Sequence, residues 1–298
     1  MNEQLAKYKQ LYTESLNKSL KEGTIRVKLH HVDLLLGYIE QNNILDLYKF
    51  DINIIYRFVN SLTYASQTKS TLQFTIREFF DCLYRHSQTS VKGRQIYPVI
   101  RTNKRERIPS FYLCNEVKEL IDSIDIRSSN GVRDKCMILM AAQLGFRSSD
   151  ILTLTFENIL WDKDVIYKIQ MKTGNLVTTA LPENIKYLLI DYIKNYRPLS
   201  ESSLVFICEQ TGERFSSSEI YAVVNKYLKK TGIPVKGRKH GPHALRHSLA
   251  TSLLKDNTPM HVITGILGHK NTDSTNAYLS VDIESLRELC LEVPTDEE

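Results

Sequence analysis

The sequence predicts a mainly α-helical protein with a small antiparallel β-sheet (α+β), in which an N-terminal helical bundle precedes a mixed domain. Three observations predict this fold class. Apolar residues recur at helical spacing through residues 1–90, and no proline occurs there. Residues 91–109 are basic, polar and proline-bounded, which is typical of a linker. Beyond them, two β-prone runs flank a turn sequence among further helical segments.

Four apolar stretches predict a compact bundle of about four helices over residues 1–90. The stretches contain Leu5, Tyr8, Leu11, Tyr12, Leu16 and Leu20; Val32, Leu35, Leu36 and Ile39; Ile54, Ile55, Phe58 and Val59; and Leu72, Ile76, Phe79, Phe80 and Leu83.

The mixed domain is predicted over residues 110–285, followed by an acidic tail at 286–298. The runs 165–170 and 176–181 predict a β-hairpin whose turn contains Gly174 in a positive-φ conformation. Helices are predicted at 115–124, 132–144, 184–196, 216–230, 243–255 and 258–267, with a further helix holding Tyr278. Ser216 and Glu219 form a capping-box pattern, and Thr258 and Pro259 are expected at the N-cap and first helical position.

Composition excludes several classes of protein. No apolar run approaches the roughly 18–20 residues that a membrane span requires, and the first residues lack a secretory signal. The five cysteines form no CxxC pair, so we expect reduced thiols and no metal site. The expected location is the cytoplasm, in association with the nucleoid.

The charge distribution favours a polyanionic partner. Residues 1–108 hold 17 Lys/Arg against 10 Asp/Glu, whereas residues 282–298 hold one Arg against seven acidic residues. Basic blocks of this kind are typical of nucleic-acid binding, with ordinary surface charge as the alternative. The candidate DNA-binding residues are Arg101, Lys104, Arg105, Arg107, Lys236, Arg238 and Lys239.

Potential catalytic residues are concentrated in the C-terminal third. His243, Arg246 and His247 share one face of a predicted helix. A Leu-Gly-His sequence ends at His269, and Tyr278 follows nine residues later. Each feature alone is weak, because such residues are common at surfaces and in packing.

A second arginine candidate lies far upstream in Gly145-Phe-Arg147-Ser-Ser-Asp150. Asp150 falls one helical turn after Arg147 and is expected to orient its guanidinium.

Taken together, the order and spacing of these motifs resemble those of the tyrosine recombinase (phage integrase) family. The family's first box is matched by GFRSSD at 145–150, its second by HALRH at 243–247, and the Leu-Gly-His to tyrosine spacing by His269 and Tyr278. The family's hairpin lysine, which precedes Thr-Gly, is matched by Lys172. One departure is Leu279-Ser280, where many members have a histidine two residues after the tyrosine.

The resemblance implies a core-DNA-binding domain at 1–90, a basic linker at 91–109 and a catalytic domain at 110–285. It implies that Tyr278 is the nucleophile and that Arg147 and Arg246 bind the scissile phosphate through bidentate donors. His243 is the expected base, Lys172 the acid that protonates the leaving 5′-oxygen, and His269 a phosphate ligand. His247 and Asp150 have supporting roles.

The implied function is site-specific recombination through a 3′-phosphotyrosine intermediate, for integration and excision, transposition or resolution. A covalent phosphotyrosine preserves the energy of the broken bond, so no cofactor, metal or ATP is expected. The implied partners are double-stranded recombination sites, further copies of the chain in a tetrameric synapse, and accessory DNA-bending or directionality proteins.

Three alternatives remain open from sequence. A type IB topoisomerase uses similar residues without a specific site pair. A catalytically silent DNA-binding protein could share the fold. A metal-dependent nuclease is disfavoured, because the sequence has neither a P-loop nor a carboxylate cluster typical of two-metal sites.

Overall fold

The computed structural model describes residues 2–44, 46–48, 50–96, 99–100 and 110–269. The chain divides into two compact units, Met1–Lys104 and Arg105–Glu298. Each unit has its own hydrophobic core.

The N-terminal unit is a helical bundle, as its apolar periodicity predicts. Its described helices are α1 (Glu3–Asn17), α2 (Glu22–Gln41), α3 (Asn53–Ser61) and α4 (Ser66–Arg85), followed by a 3₁₀ turn at Gly93–Gln95. Residues predicted from helical spacing form the core, and Leu5, Leu35 and Ile76 have no exposed surface. Tyr12 packs edge-on against Phe79, with ring centroids 5.4 Å apart.

The C-terminal unit combines helices with one small sheet, which confirms the predicted fold class. Its described helices are α5 (Cys114–Asp122), α6 (Ser129–Ala142), α7 (Ser148–Leu152), α8 (Glu183–Asp191), α9 (Ser217–Thr231), α10 (Pro242–Lys255) and α11 (Met260–Leu267). Its strands are β1 (Ile159–Leu160), β2 (Val165–Ile169) and β3 (Leu176–Ala180). The sheet is antiparallel throughout, in the order β1-β2-β3.

Helix α6 forms the centre of this unit. Its residues from Cys136 to Ala142 are all buried, and it packs against α5, α8, α9 and α10. A helix that is apolar on every side must be enclosed by others. The loop after α6, which carries Arg147, is therefore anchored to the core.

The predicted hairpin is present between β2 and β3. The pairing places Val165 opposite Ala180. In the connection, Gln170 N donates to Asn175 O at 2.9 Å and Gly174 N donates to Gln170 O at 2.8 Å. Gly174 has φ +73°, a left-handed conformation that glycine adopts without steric cost.

Several element boundaries differ from the sequence prediction, and two of these differences have an evident structural basis. Helix α8 ends at Asp191 and continues as a π-helical turn at Tyr192–Tyr196, where the buried Tyr192 ring stacks on Phe206 at 5.5 Å. Helix α11 begins one residue later than predicted, with Pro259 rather than Thr258 at the N-cap. The cause is that Thr258 N donates to a carbonyl of α10, that of Leu253, at 2.9 Å and so closes the turn after α10.

None of the helices in the described ranges is long and apolar enough to cross a bilayer. Four cysteines lie in those ranges and are free thiols: Cys82, Cys114, Cys136 and Cys208.

Candidate active site

Arg246 is held inside the C-terminal unit by two backbone carbonyls. Its side chain is 1% exposed. Nη1 donates to Gly145 O, and Nη2 donates to Leu267 O at 2.6 Å. Leu267 is the last residue of α11, so its carbonyl lacks an intrahelical partner and lies at the negative end of the helix dipole. The guanidinium therefore connects the loop after α6 to the end of α11.

Arg147 lies at the N-cap of α7, whereas the sequence prediction placed it within a helix. Its Nη1 donates to Gln170 Oε1. The preceding loop turns at Gly145, which has φ +64°. A Cβ at that position would lie 3.0 Å from Leu267 Cδ2 and 3.1 Å from Leu249 Cδ2. The loop therefore packs closely on α10 and α11, and helix α7 starts after it at Ser148.

Asp150 is buried, and its hydrogen-bond partners differ from the predicted partner, Arg147. Its Oδ1 accepts a hydrogen bond from Met171 N at 3.0 Å and one from Ser149 Oγ at 3.4 Å. Asp150 therefore anchors the start of the hairpin turn, next to Lys172. The sequence prediction missed this contact because it considered only helical neighbours.

The hairpin turn carries Lys172 on its exposed edge. Its neighbours are fixed on both sides, since Met171 N is bound by Asp150 and Thr173 Oγ1 donates to Gln170 Oε1 at 2.8 Å. The charge of Lys172 acts on the site, because it contributes to the lowered pKa of His243 and of His269.

His243 and His247 lie one turn apart on α10 and face each other. Their Nε2 atoms are 3.0 Å apart, and their ring centroids are 4.2 Å apart. In a hydrogen bond between two imidazole nitrogens, one carries the proton and the other accepts it. Both residues were predicted for the site from sequence, but their direct contact was not.

The pKa of three histidines in this site is lowered: to about 4 for His243, about 3 for His247 and about 4 for His269. Loss of hydration is the largest cause in each case. Repulsion from nearby positive groups adds to it, with Arg246 the strongest for His243 and for His269. All three imidazoles are neutral at pH 7, the state in which an imidazole accepts a proton.

These lowered pKa values make stability depend on pH. In the unfolded chain histidine has a pKa near 6.5, so on acidification the unfolded state binds protons first. The contribution of these histidines to the free energy of unfolding is therefore complete above about pH 6.5 and is lost as the pH falls through about 4. We expect the melting temperature to decrease between about pH 6.5 and 5.

Calorimetry of the double variant His243→Gln/His247→Gln should show a weaker decrease over this range, because the coupled pair no longer titrates. His261→Gln, at an exposed position of α11, is the matched control and should keep the wild-type slope. An unchanged slope in the double variant would contradict the lowered pKa values.

The predicted DNA-binding residues fall into three groups. Lys236 and Lys239 are exposed on the loop before α10. Arg238 is engaged within the unit, because Nη2 donates to Glu116 Oε2 at 2.7 Å and to Phe111 O at 2.6 Å. This pairing anchors the loop to α5. Arg101, Lys104, Arg105 and Arg107 lie outside the described residues, as does Tyr278.

Over the part of the chain that the structure describes, no three His, Cys, Asp or Glu side chains are arranged to hold a metal ion. The residues brought together are instead two arginines, neutral histidines and a lysine-bearing hairpin. Two guanidiniums next to groups that can exchange protons are suited to binding and polarising a phosphate ester.

Several known proteins are similar to this chain in sequence. Residues 111–284 match the model of the phage integrase family. The chain is 33% identical over 201 residues to the putative integrase/recombinase y4rA of Sinorhizobium fredii, covering 66% of this chain and 48% of that protein. It is 25% identical over 281 residues to tyrosine recombinase XerD of Staphylococcus epidermidis, covering 92% of this chain and 93% of that protein. The chain thus spans about half of y4rA and nearly all of XerD.

Solved structures show the same fold. The XerH site-specific recombinase bound to palindromic difH substrate, in a post-cleavage complex, gives a TM-score of 0.75 at 18% identity, covering 93% of this chain and 83% of that chain. A lambda integrase dimer bound to a COC′ core site gives a TM-score of 0.72 at 15% identity, covering 92% and 94%. The family model matches more than half of the residues, and the chain therefore belongs to the phage integrase family, the tyrosine recombinases, which are site-specific DNA strand transferases.

Proposed function

We propose that this chain cuts one strand at a DNA recombination site through Tyr278, keeps the 3′ end as a phosphotyrosine, and rejoins it to a new partner strand. The outcome would be integration and excision, transposition or resolution of a DNA element. The observation that carries the proposal is that both arginines are connected to the end of α11. Arg246 donates directly to Leu267 O. Gln170 bonds the same carbonyl and accepts from Arg147.

The first step in this proposal is phosphate binding. A phosphodiester carries negative charge that repels nucleophiles and increases in the transition state. The guanidiniums of Arg147 and Arg246 offset that charge with paired donors, and His269 adds a further hydrogen bond. The guanidinium of Arg246 is held in place, because two backbone carbonyls accept hydrogen bonds from its nitrogens.

The second step is proton transfer. A phenol is mostly protonated near pH 7, so Tyr278 needs a base. His243 is neutral at that pH and can accept the phenolic proton. Its lowered pKa makes it a weak base on its own, and the negative charge of a bound phosphate would raise that pKa. The departing 5′-oxygen takes a proton from Lys172 on the hairpin. Rejoining is the reverse attack by a 5′-hydroxyl on the phosphotyrosine.

In the proposed assembly the helical domain at 1–90 binds DNA, the basic linker at 91–109 follows the DNA backbone, and residues 110–285 carry the chemistry. DNA as partner is supported by relatives that were solved on DNA, XerH with difH and lambda integrase with a core site. As the family resemblance implies, four copies of the chain would assemble around two duplexes.

Covalent trapping of Tyr278 tests the proposal. Labelled, nicked fragments of the DNA that flanks the gene are incubated with protein and then denatured in SDS. Wild type is expected to form a protein–DNA adduct, and Tyr278→Phe should bind the same DNA without forming one, because phenylalanine has no nucleophilic oxygen. Tyr187→Phe, at an exposed position of α8, is the matched control and should form the adduct normally.

The alternatives give different outcomes. Tight, specific binding without an adduct on any fragment would favour a silent DNA-binding protein. Relaxation of plasmids that lack any target site would favour a topoisomerase. Loss of cleavage in EDTA would favour a metal-dependent nuclease.

For the tetramer, we propose that the tail docks on a neighbouring copy. Residues 284–298 contain Leu286, Leu289 and Leu291 among acidic residues. A cavity of about 590 Å³ in the C-terminal unit has complementary chemistry. Its lining includes the apolar side chains of Val117, Ile121, Leu139, Leu188 and Leu249, the cations Lys118 and Lys135 and the carboxylate of Asp122. Deletion of residues 284–298 should impair synapsis and recombination, and a deletion protein with normal recombination would refute docking.

A further inference from the structure

The side chain of Gln170 joins parts of the site that are far apart in sequence. It is 2% exposed. Its Oε1 accepts hydrogen bonds from Arg147 Nη1 and, at 2.8 Å, from Thr173 Oγ1. Its Nε2 donates to Leu267 O at 3.1 Å, the carbonyl that also accepts from Arg246. One amide therefore connects the first arginine, the hairpin turn and the end of α11.

The chemistry of the neighbours determines which way this amide points. A guanidinium can only donate hydrogen bonds, so the group next to Arg147 must be the amide oxygen. A carbonyl can only accept, so the group next to Leu267 O must be the amide nitrogen. Glutamine is the side chain of this length that offers both, because glutamate would place a second oxygen against the Leu267 carbonyl.

Gly268 allows the amide to approach the end of α11. A Cβ at position 268 would lie 2.5 Å from Gln170 Nε2 and 2.5 Å from Val177 Cγ2. Its φ of +59° is also a left-handed conformation that favours glycine. The glycine that precedes His269 is therefore required by the packing of Gln170 and β3 against the turn.

We infer that Gln170 is a positioning residue, which sets Arg147 and the hairpin turn carrying Lys172 relative to the end of α11. The inference rests on the proposed function, because it assigns Gln170 a role in strand cleavage. Gln170 itself touches no reacting group in this account and acts through the residues it holds.

Removal of the amide should displace Arg147 and the hairpin turn that carries Lys172, while both catalytic side chains remain present. Gln170→Met conserves size and loses all three hydrogen bonds. Gln170→Glu retains the acceptor for Arg147 but repels the Leu267 carbonyl. Displacement of a catalytic group by about 1 Å can cost about 100-fold in rate, so both variants are expected to cleave slowly while binding DNA normally.

The test compares adduct formation on nicked DNA with an ordinary 5′-oxygen and on DNA with sulfur in its place, which leaves without a proton. Gln170→Met should be about 100-fold slower than wild type on oxygen DNA and only about tenfold slower on sulfur DNA, where the acid is bypassed. Gln210→Met, at an exposed position, should match wild type on both. Cleavage of oxygen DNA within about threefold of wild type would overturn the inference, as would equal losses on both substrates.

A second measurement needs no DNA. Hydrogen exchange of the amides of Met171 and Gly174 should accelerate in Gln170→Met, because Thr173 and the turn lose their anchor. Unchanged exchange there would overturn the inference. Absence of an adduct from wild type would count against the proposed function instead, and the exchange result would still decide whether Gln170 holds the hairpin.

Discussion

Substitution of Arg246 by lysine is expected to slow strand cleavage by about a thousandfold or more. The wild-type guanidinium donates to Gly145 O and Leu267 O through two different nitrogens. A lysine ammonium carries its charge on a single nitrogen. It cannot donate to both carbonyls and also offer paired donors to a phosphate. The loss should fall on the cleavage rate rather than on DNA affinity, because the contact matters most when charge builds up in the transition state.

The measurement is the rate of adduct formation on nicked DNA at saturating protein, with DNA affinity and melting temperature determined in parallel. Arg214→Lys is the matched control, since this arginine is exposed in the same unit. A rate for Arg246→Lys within about tenfold of wild type would remove Arg246 from the phosphate-binding role.

Substitution of Lys172 by alanine is expected to slow cleavage by about 100-fold to 10,000-fold, the usual contribution of a general acid. The leaving 5′-oxygen would then depart as an alkoxide, which is far more basic than the surrounding water at pH 7. Sulfur at that position should restore most of the rate, because a thiolate leaves without protonation.

Single-turnover cleavage of the oxygen and sulfur DNAs gives the comparison. Lys163→Ala, at an exposed position of the β1–β2 turn, should behave like wild type on both substrates. Absence of rescue in Lys172→Ala would exclude the acid role and leave Lys172 as a phosphate contact.

Much of the fold could be predicted because its determinants are local. In the N-terminal bundle the buried residues repeat with the period of a helix, so Leu35 and Ile39 appear one turn apart in sequence and together in the core. The hairpin was predictable because the conformation of Gly174 is a property of the turn itself. The start of α11 was predicted one residue too early, with Thr258 rather than Pro259 as the N-cap. The reason is that Thr258 N donates to Leu253 O of the preceding helix.

The connections within the site could not be predicted, because they join residues that are distant in sequence. Gln170 and Leu267 are separated by 97 positions, and no local pattern distinguishes this glutamine from an exposed one. The pairing of Arg238 with Glu116 is of the same kind, as its partner lies 122 positions away. Motifs identified which residue types belong to the site, whereas packing determined how they are held.

The carbonyl of Leu267 couples both arginines of the site to the end of one short helix. It accepts hydrogen bonds from both Arg246 and Gln170 and belongs to the last turn of an eight-residue helix. A helix of that length is not stable alone and depends on the packing of Ile263 and Leu267 against Ala250. Fraying of that single turn would remove one anchor of Arg246 and one anchor of the amide that holds Arg147, so the placement of both guanidiniums depends on α11 being intact to its end.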